Sequence, residues 1–276
     1  EYLYFDGSDF VIGGDNIRIG DNAGQTNQGN NSVAIGSGSG SNTQGAESVA
    51  IGTSAGQTIQ GTKSVAIGWY AGSQNQKDSA TAIGRRAGYL DQKIYATALG
   101  IEAGENTQGA SSVAIGRSAG RTLQKDDAVA IGNFAGSQTQ GTKSVAIGYQ
   151  AGQNQLGENS IAIGNEAGLN ATGADCICIG RFSGNNTGIR NIGIGAYAGG
   201  TTTAYNIAIG WTTGRYDQQG DSIAIGRGTA NNTQGNKSIA IGRDAGSQTQ
   251  KEDSIAIGYR TGQYQQGTKS IAIGIE

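Results

Sequence analysis

The sequence predicts an all-β protein, a parallel β-solenoid (β-roll) of 16-residue coils, and three observations lead there. The stretch Ser64-Val65-Ala66-Ile67-Gly68 has near-copies from Ile17-Arg18-Ile19-Gly20 to Ile271-Ala272-Ile273-Gly274. Their closing glycines fall 16 residues apart from Gly20 to Gly180, 15 apart at Gly195 and Gly210, and 16 apart again to Gly274, which makes 17 copies. A fixed period of this length means stacked, near-identical units. The third observation is composition: of 276 residues, 50 are glycine, none is proline, 36% are apolar and 14% are charged. A chain whose backbone N–H groups are nearly all needed by neighbouring coils has little room for proline.

The first element, residues 1–16, is set apart from the repeats. Tyr2-Leu3-Tyr4-Phe5 and Phe10-Val11-Ile12 are β-rich runs on either side of Asp6-Gly7-Ser8-Asp9, a turn sequence, so a β-hairpin is expected. End coils expose unpaired backbone, and an atypical terminal unit of this kind suits a cap.

Residues 17–276 form the solenoid. In Ser112-Val113-Ala114-Ile115-Gly116, large and small residues alternate, so Val113 and Ile115 share one face of a strand while Ser112, Ala114 and Gly116 share the other. No 3.6-residue period is present, and two or more glycines per coil would cost a helix roughly 1 kcal/mol each. The second half of a coil, as in Ala119-Gly120-Arg121-Thr122-Leu123-Gln124, reads as a short polar strand entered through glycine. Stacking at the parallel-strand spacing gives a rod about 77 Å long. The expected interior is thin, Val and Ile facing little beyond Ala, with Ile131 in its central stack. One large apolar pair per coil is little burial against the ordering of a whole coil, so a side-by-side homotrimer that hides one sheet face is expected.

Gln at the eighth position after the marker glycine recurs as Gln28, Gln44, Gln60, Gln76, Gln92, Gln108, Gln124 and Gln140, which predicts a ladder of amides bonded from coil to coil. In the two 15-residue coils, Arg181 to Gly195 and Ala196 to Gly210, the missing residue must come from the polar half. Removing one from the strand would flip its side chains to the other face. The ladder through Ile177, Ile179, Ile192, Ile194, Ile207 and Ile209 is therefore expected to continue, with a tighter turn, a slight bend or twist of the rod and a Gln rung lost on the outer side. Cys176 and Cys178 replace Ser and Ala of other copies and read as small packing residues, since residues two apart on a strand point the same way and do not bridge.

The chain has no His, which excludes catalytic triads, imidazole bases and His metal sites. Gly56-Gln57-Thr58-Ile59-Gln60-Gly61-Thr62-Lys63-Ser64 only partly resembles a phosphate loop, because Thr62 intervenes before Lys63 and a strand follows where a helix is required. Carboxylates such as Asp126, Asp127, Glu252 and Asp253 fall in polar turns as solvated charges. No copy has the Gly-Gly-x-Gly-x-Asp pattern of calcium-binding β-rolls, and no Thr-x-Thr row suggests ice binding. No enzyme activity, cofactor or metal is expected. The net charge of −2 without a basic block argues against nucleic acid and anionic membrane as partners, and no transmembrane run is present.

The residues resemble a known family, the head repeats of trimeric autotransporter adhesins of the YadA type, whose motif is Asn-Ser-Val-Ala-Ile-Gly. Asn31-Ser32-Val33-Ala34-Ile35-Gly36 matches it outright and Asn159-Ser160-Ile161-Ala162-Ile163-Gly164 nearly so. The resemblance implies a left-handed parallel β-roll, three chains side by side, and adhesion at a cell surface. The Ala-Ile-Gly pattern followed by Tyr149-Gln150-Ala151-Gly152 is also similar to repeats of phage and large-virus tail-fibre and surface-fibre proteins. A 16-residue coil is longer than is usual in adhesin heads and favours the viral branch. The reading is a non-enzymatic fibre segment of a virus or phage, extracellular, serving as rigid spacer and host-attachment surface. The alternative is a bacterial adhesin head that binds host matrix or cell surface.

The two positions after each marker glycine vary most, and variation amid repetition predicts an exposed turn stripe. Its aromatic and arginine members are Trp69, Tyr70, Arg85, Arg86, Phe134, Tyr149, Phe182, Tyr197, Trp211 and Tyr259. Such side chains stack on sugars or dock proteins, so a host glycan or protein is the expected partner besides the chain itself.

Overall fold

In the computed structural model the coils open with the strand that the repeated triplet predicts, three residues long except for Ile255–Tyr259 and Ile271–Ile275, and within each part of the chain coil stacks on coil in parallel register. The structure describes residues 3–5, 10–12, 14–184, 188–200 and 203–276. They contain no helix. Leu3–Phe5 pairs antiparallel with Phe10–Ile12, Leu3 opposite Ile12, while the turn expected at Asp6 to Asp9 lies outside the described residues. The chain divides into two units, Glu1–Thr139 and Gln140–Glu276.

In the first unit the ladder runs from Ile17–Ile19 through Val33–Ile35, Val49–Ile51, Val65–Ile67, Thr81–Ile83, Thr97–Leu99 and Val113–Ile115 to Val129–Ile131, each central alanine from Ala34 onward opposite the next. The second half-coil adds shorter parallel pairs such as Thr43–Gln44 with Ile59–Gln60 and Thr107–Gln108 with Leu123–Gln124. The second unit repeats the scheme from Val145–Ile147 to Ile271–Ile275, with a polar ladder from Asp217–Gln218 to Gln265–Gln266. Marker glycines lie over one another. Gly68 has φ +126°, and a Cβ on it would stand 2.7 Å from the carbonyl oxygen of Gly84. Only glycine combines that backbone angle with that approach.

The strand faces are the reverse of the expectation. The central alanines, Ala34, Ala50, Ala66, Ala82, Ala98, Ala114 and Ala130, are fully buried, whereas Val and Ile on either side are mostly only half-buried. Ile131 therefore belongs to an outward face and not to a central stack. The coil is too narrow for large pairs: behind the strand lie the second alanines, among them Ala55, Ala71 and Ala119, and between the walls lie the glutamines.

The glutamines are thus an inner rung and not an outer ladder. Gln44, Gln60, Gln76, Gln92, Gln108, Gln124 and Gln140 are all buried. Each side chain crosses its coil. Gln60 Nε2 donates to the carbonyl of Val49 at 2.8 Å, Gln92 Nε2 to that of Thr81 at 2.8 Å, and Gln108 Nε2 to that of Thr97 at 2.8 Å. Coil-to-coil amide bonds join Gln76 to Gln92 at 2.9 Å and Gln92 to Gln108 at 3.0 Å. Glycine four residues ahead gives the amide its space, for a Cβ on Gly104 would sit 2.7 Å from Gln108 Oε1. Beside the rung, Ser64 and Ser112 are buried and donate to the turn carbonyls of Gly61 and Gly109 at 2.7 Å.

The register survives the two short coils, as expected: Ile177 is opposite Ile192, Ile192 opposite Ile207, and Ile207 opposite Ile223. What changes is the filling. Leu156 takes the rung position and is buried, and the buried thiols of Cys176 and Cys178 follow it. Asn191 and Asn206, where other coils carry Ser, then reach inward. Asn191 Nδ2 donates to Thr203 O at 2.7 Å, and its Oδ1 accepts from Asn206 N at 2.9 Å. Gln218 restores the rung, donating to Ile207 O at 3.1 Å.

Two predictions follow from the rung and its interruption. Gln60 Oε1 is buried without a hydrogen-bond partner, and Leu156 shows that an aliphatic side chain fits the same place. Gln60→Leu should therefore cost only about 1 kcal/mol, the worth of one donated bond. Gln60→Ala, which leaves a cavity, should cost about 2–4 kcal/mol in chemical denaturation. Equal losses would contradict the assigned packing.

The second prediction concerns the thiols. Burial pushes Cys178 from 9.0 up to about 12, with the neighbouring Cys176 adding to it. Burial raises Cys176 as well, against the lowering pull of backbone N–H groups of Asn191 and Arg190. The native thiols should resist an aromatic disulfide reagent at neutral pH, and both should react after unfolding. In the unfolded chain Cys178 loses its proton near 9.0 while the folded chain holds it, so its linkage leaves stability unchanged below that pH and lowers it as pH rises towards 12. Fast reaction of the folded protein would contradict this account.

Candidate interaction surface

With Val and Ile outward, strand alternation also turns the first residue after the marker glycine outward, on the same face. The strand Ile255–Tyr259 shows this continuation, Tyr259 lying opposite Ile275 in the ladder. Trp69 is 48% exposed and Trp211 54%, and Tyr149 is exposed too. The second residue after the glycine turns the corner in the left-handed region, with φ of 56° at Tyr70, 58° at Phe134, 57° at Phe182 and 58° at Tyr197. Non-glycine residues enter that region at a cost, so the tight turn, repeated in every coil, dictates the conformation and the side chain follows.

The residues of the predicted stripe, Tyr149 excepted, fall into separate clusters. In the first unit Trp69 meets Tyr70 edge-on at 4.9 Å, and Tyr70 meets Tyr89 edge-on at 6.0 Å. The Arg86 guanidinium lies 4.9 Å from the Tyr89 ring and 2.8 Å from Glu105. Arg85 instead pairs with Glu102 at 2.6 Å, and Phe134 lies under Arg117 at 4.8 Å. In the second unit Phe182 and Tyr197 stack at 5.2 Å with 17° between their planes. Trp211 lies under Arg227 at 5.7 Å, and Tyr259 takes Arg243 at 5.5 Å and Arg260 at 5.1 Å. Tyr149 joins none of these ring clusters.

Sequence reading missed a second column. Tyr89, Glu105, Arg121 and Arg215 stand at the fifth position after their marker glycines, where the chain comes back past the second position of a neighbouring coil. Tyr70 with Tyr89, Arg86 with Glu105 and Tyr197 with Arg215 are pairs of this kind. The signal was present as three charged or aromatic residues 16 apart, Tyr89, Glu105 and Arg121. Among the described residues no three His, Cys, Asp or Glu side chains are grouped as a metal ion would need.

Part of the chain matches a known family of repeats. The family described as YadA head domain repeat (2 copies) matches residues 28–55, 124–151, 156–167 and 234–261. No curated protein matches the chain. The matched segments contain the strand, the buried rung position and the outward Val and Ile positions described above, and over these segments, less than half of the chain, the sequence is similar to the YadA head repeat.

Proposed function

We propose that this chain is a non-enzymatic head or fibre segment of the adhesin kind, exposed at a cell or virion surface, where it acts as rigid spacer and attachment surface. The proposed working form is a side-by-side homotrimer. The observation that carries this reading is the outward apolar face. In each unit, half-buried Val and Ile columns run beside a column holding Trp69 and Ile101 in the first unit and Tyr149 and Trp211 in the second. Half-buried Val and Ile recurring in successive coils are an apolar strip of the kind that a partner chain covers. A second copy of the same chain offers the same repeat spacing, so one contact made once is made at each coil.

The YadA-type match supports the adhesin head as the setting. The viral or phage fibre remains a second reading, supported by the 16-residue period. The sequence flanking residues 1–276 separates the two, an outer-membrane anchor meaning adhesin and a capsid-binding or fibre-chaperone domain meaning virus.

Light scattering coupled to size exclusion tests the assembly. The expected mass is three times that of the chain at micromolar concentration. Ile131→Asp places a charge on the outward face and should yield smaller species that keep the circular dichroism of the parent, because that side chain is not in the coil interior. A folded monomeric parent would overturn the trimer. Loss of the fold in Ile131→Asp at all concentrations would overturn the outward placement.

A further inference from the structure

The corner formed by the second and fifth positions differs in charge between the units. In the first unit one carboxylate, Glu105, only 6% exposed, takes Arg86 at 2.8 Å and Arg121 at 3.4 Å, while Arg86 also covers the Tyr89 ring. Two guanidinium groups, an aromatic ring and a buried anion thus make a closed set. The second unit has the cations and the rings without the anion. Arg181 lies 5.1 Å and Arg215 4.8 Å from the centre of the Tyr197 ring, which is itself stacked on Phe182. Arg215 is held from its other neighbour by Tyr216 at 4.9 Å. Among the described residues the ion pairs engage other arginines, and neither Arg181 nor Arg215 meets a carboxylate.

Three of these side chains, Phe182, Tyr197 and Arg215, line a groove of about 300 Å³ together with Gly200. Gly200 is held against the backbone of Arg215, whose carbonyl oxygen would collide with a Cβ placed there, so the groove floor is glycine by necessity. The volume is at the lower end of small-molecule sites and suits one or two sugar rings.

We propose that this groove binds an acidic saccharide, a sugar carrying a carboxylate or sulfate. Arg215, with Arg181 beside it, takes the anion in the way Arg86 and Arg121 take Glu105. The guanidinium fork donates to two oxygens at once, and its stacking on Tyr197 and Tyr216 sets its plane in advance. The exposed parts of Phe182 and Tyr197 supply the apolar contact that a sugar ring makes through its C–H groups. A bare anion would use the arginines and leave the aromatic wall unused, and so would be held less well. The proposal rests on the reading of the chain as a surface attachment segment and names what one part of that surface holds.

Saturation-transfer NMR on the whole chain, with glucuronic acid and N-acetylglucosamine 6-sulfate as probes, tests it. N-acetylglucosamine is the neutral control and inorganic sulfate the competitor. Both acidic sugars should receive saturation at ring protons, the neutral sugar none, and affinity should fall as salt is raised. Arg215→Gln should weaken binding about tenfold or more with circular dichroism unchanged. Arg121→Gln, in the corner that Glu105 neutralises, should leave it as it was. Absence of transfer to both acidic sugars would overturn the proposal, as would transfer that Arg215→Gln and Arg181→Gln leave unaltered. Transfer to the neutral sugar alone, or displacement of the sugars by stoichiometric sulfate, would also overturn it. Each of these results is independent of the mass measured by light scattering, so the fibre reading stands or falls separately.

Discussion

One hydrogen bond, from the side-chain amide of a buried glutamine to the carbonyl of the strand residue eleven positions earlier, ties the two halves of a coil together. It is seen at Gln44 to Val33, Gln60 to Val49, Gln92 to Thr81 and Gln234 to Ile223, each at 2.8 Å. An amide NH₂ taken from water and left unbonded would cost more than it returns, so the bond is what lets the donor end of the glutamine inside, while the Oε1 of Gln44, Gln60 and Gln234 stays buried without a partner. Much of the repeat is its consequence. Glycine stands four residues ahead of the rung because the amide fills the place of a Cβ. Alanine faces the rung from the strand because the cross-section admits nothing larger. Serine closes the corner by donating to the turn carbonyl three residues back.

A core of alanine, serine and glutamine supplies backbone order and little apolar burial. The large side chains have no room inside, and their place is the outer wall. There Val and Ile offer a second surface, which in the proposed assembly would share its burial between chains. The division of labour also explains which positions vary. The rung, the alanines and the marker glycine are fixed by the interior, whereas the first, second and fifth positions after the glycine face outward and are free to carry arginine, tryptophan or tyrosine. The stretch where the interior departs from the rule, with Leu156 at the rung, Cys178 in place of alanine and Asn191 and Asn206 in place of serine, overlaps the stretch whose corner carries Arg181, Tyr197 and Arg215.

The period, the parallel ladder and its passage through Ile177, Ile192 and Ile207 were legible, because strand alternation and repeat spacing are properties of the sequence itself. The sign of the alternation was not. Val113-Ala114-Ile115 reads equally well with either face inward, and the preference of large apolar residues for the interior pointed the wrong way in a coil too narrow for them. Gln108 was read as outer for the same reason, since its partner is a backbone carbonyl that only the folded coil brings near. The stripe after the marker glycine was legible at Trp69, Phe182 and Trp211 as variation within repetition. Its companions Tyr89, Glu105 and Arg215 were not, because a second position meets a fifth position of another coil only through the turn between them.

The inward glutamine is the claim on which the faces, the outer wall and the assembly all rest. Hydrogen exchange of side-chain amides, followed by NMR on protein labelled with ¹⁵N at glutamine, tests it most directly. If the rung is inside, the side-chain NH₂ groups of Gln44, Gln60, Gln92 and Gln108 should exchange as slowly as the backbone amides of the adjoining strands, whether one chain or three are present. Side-chain amides that exchange at the rate of free glutamine while the strand amides stay protected would place the rung on the outside and contradict the account.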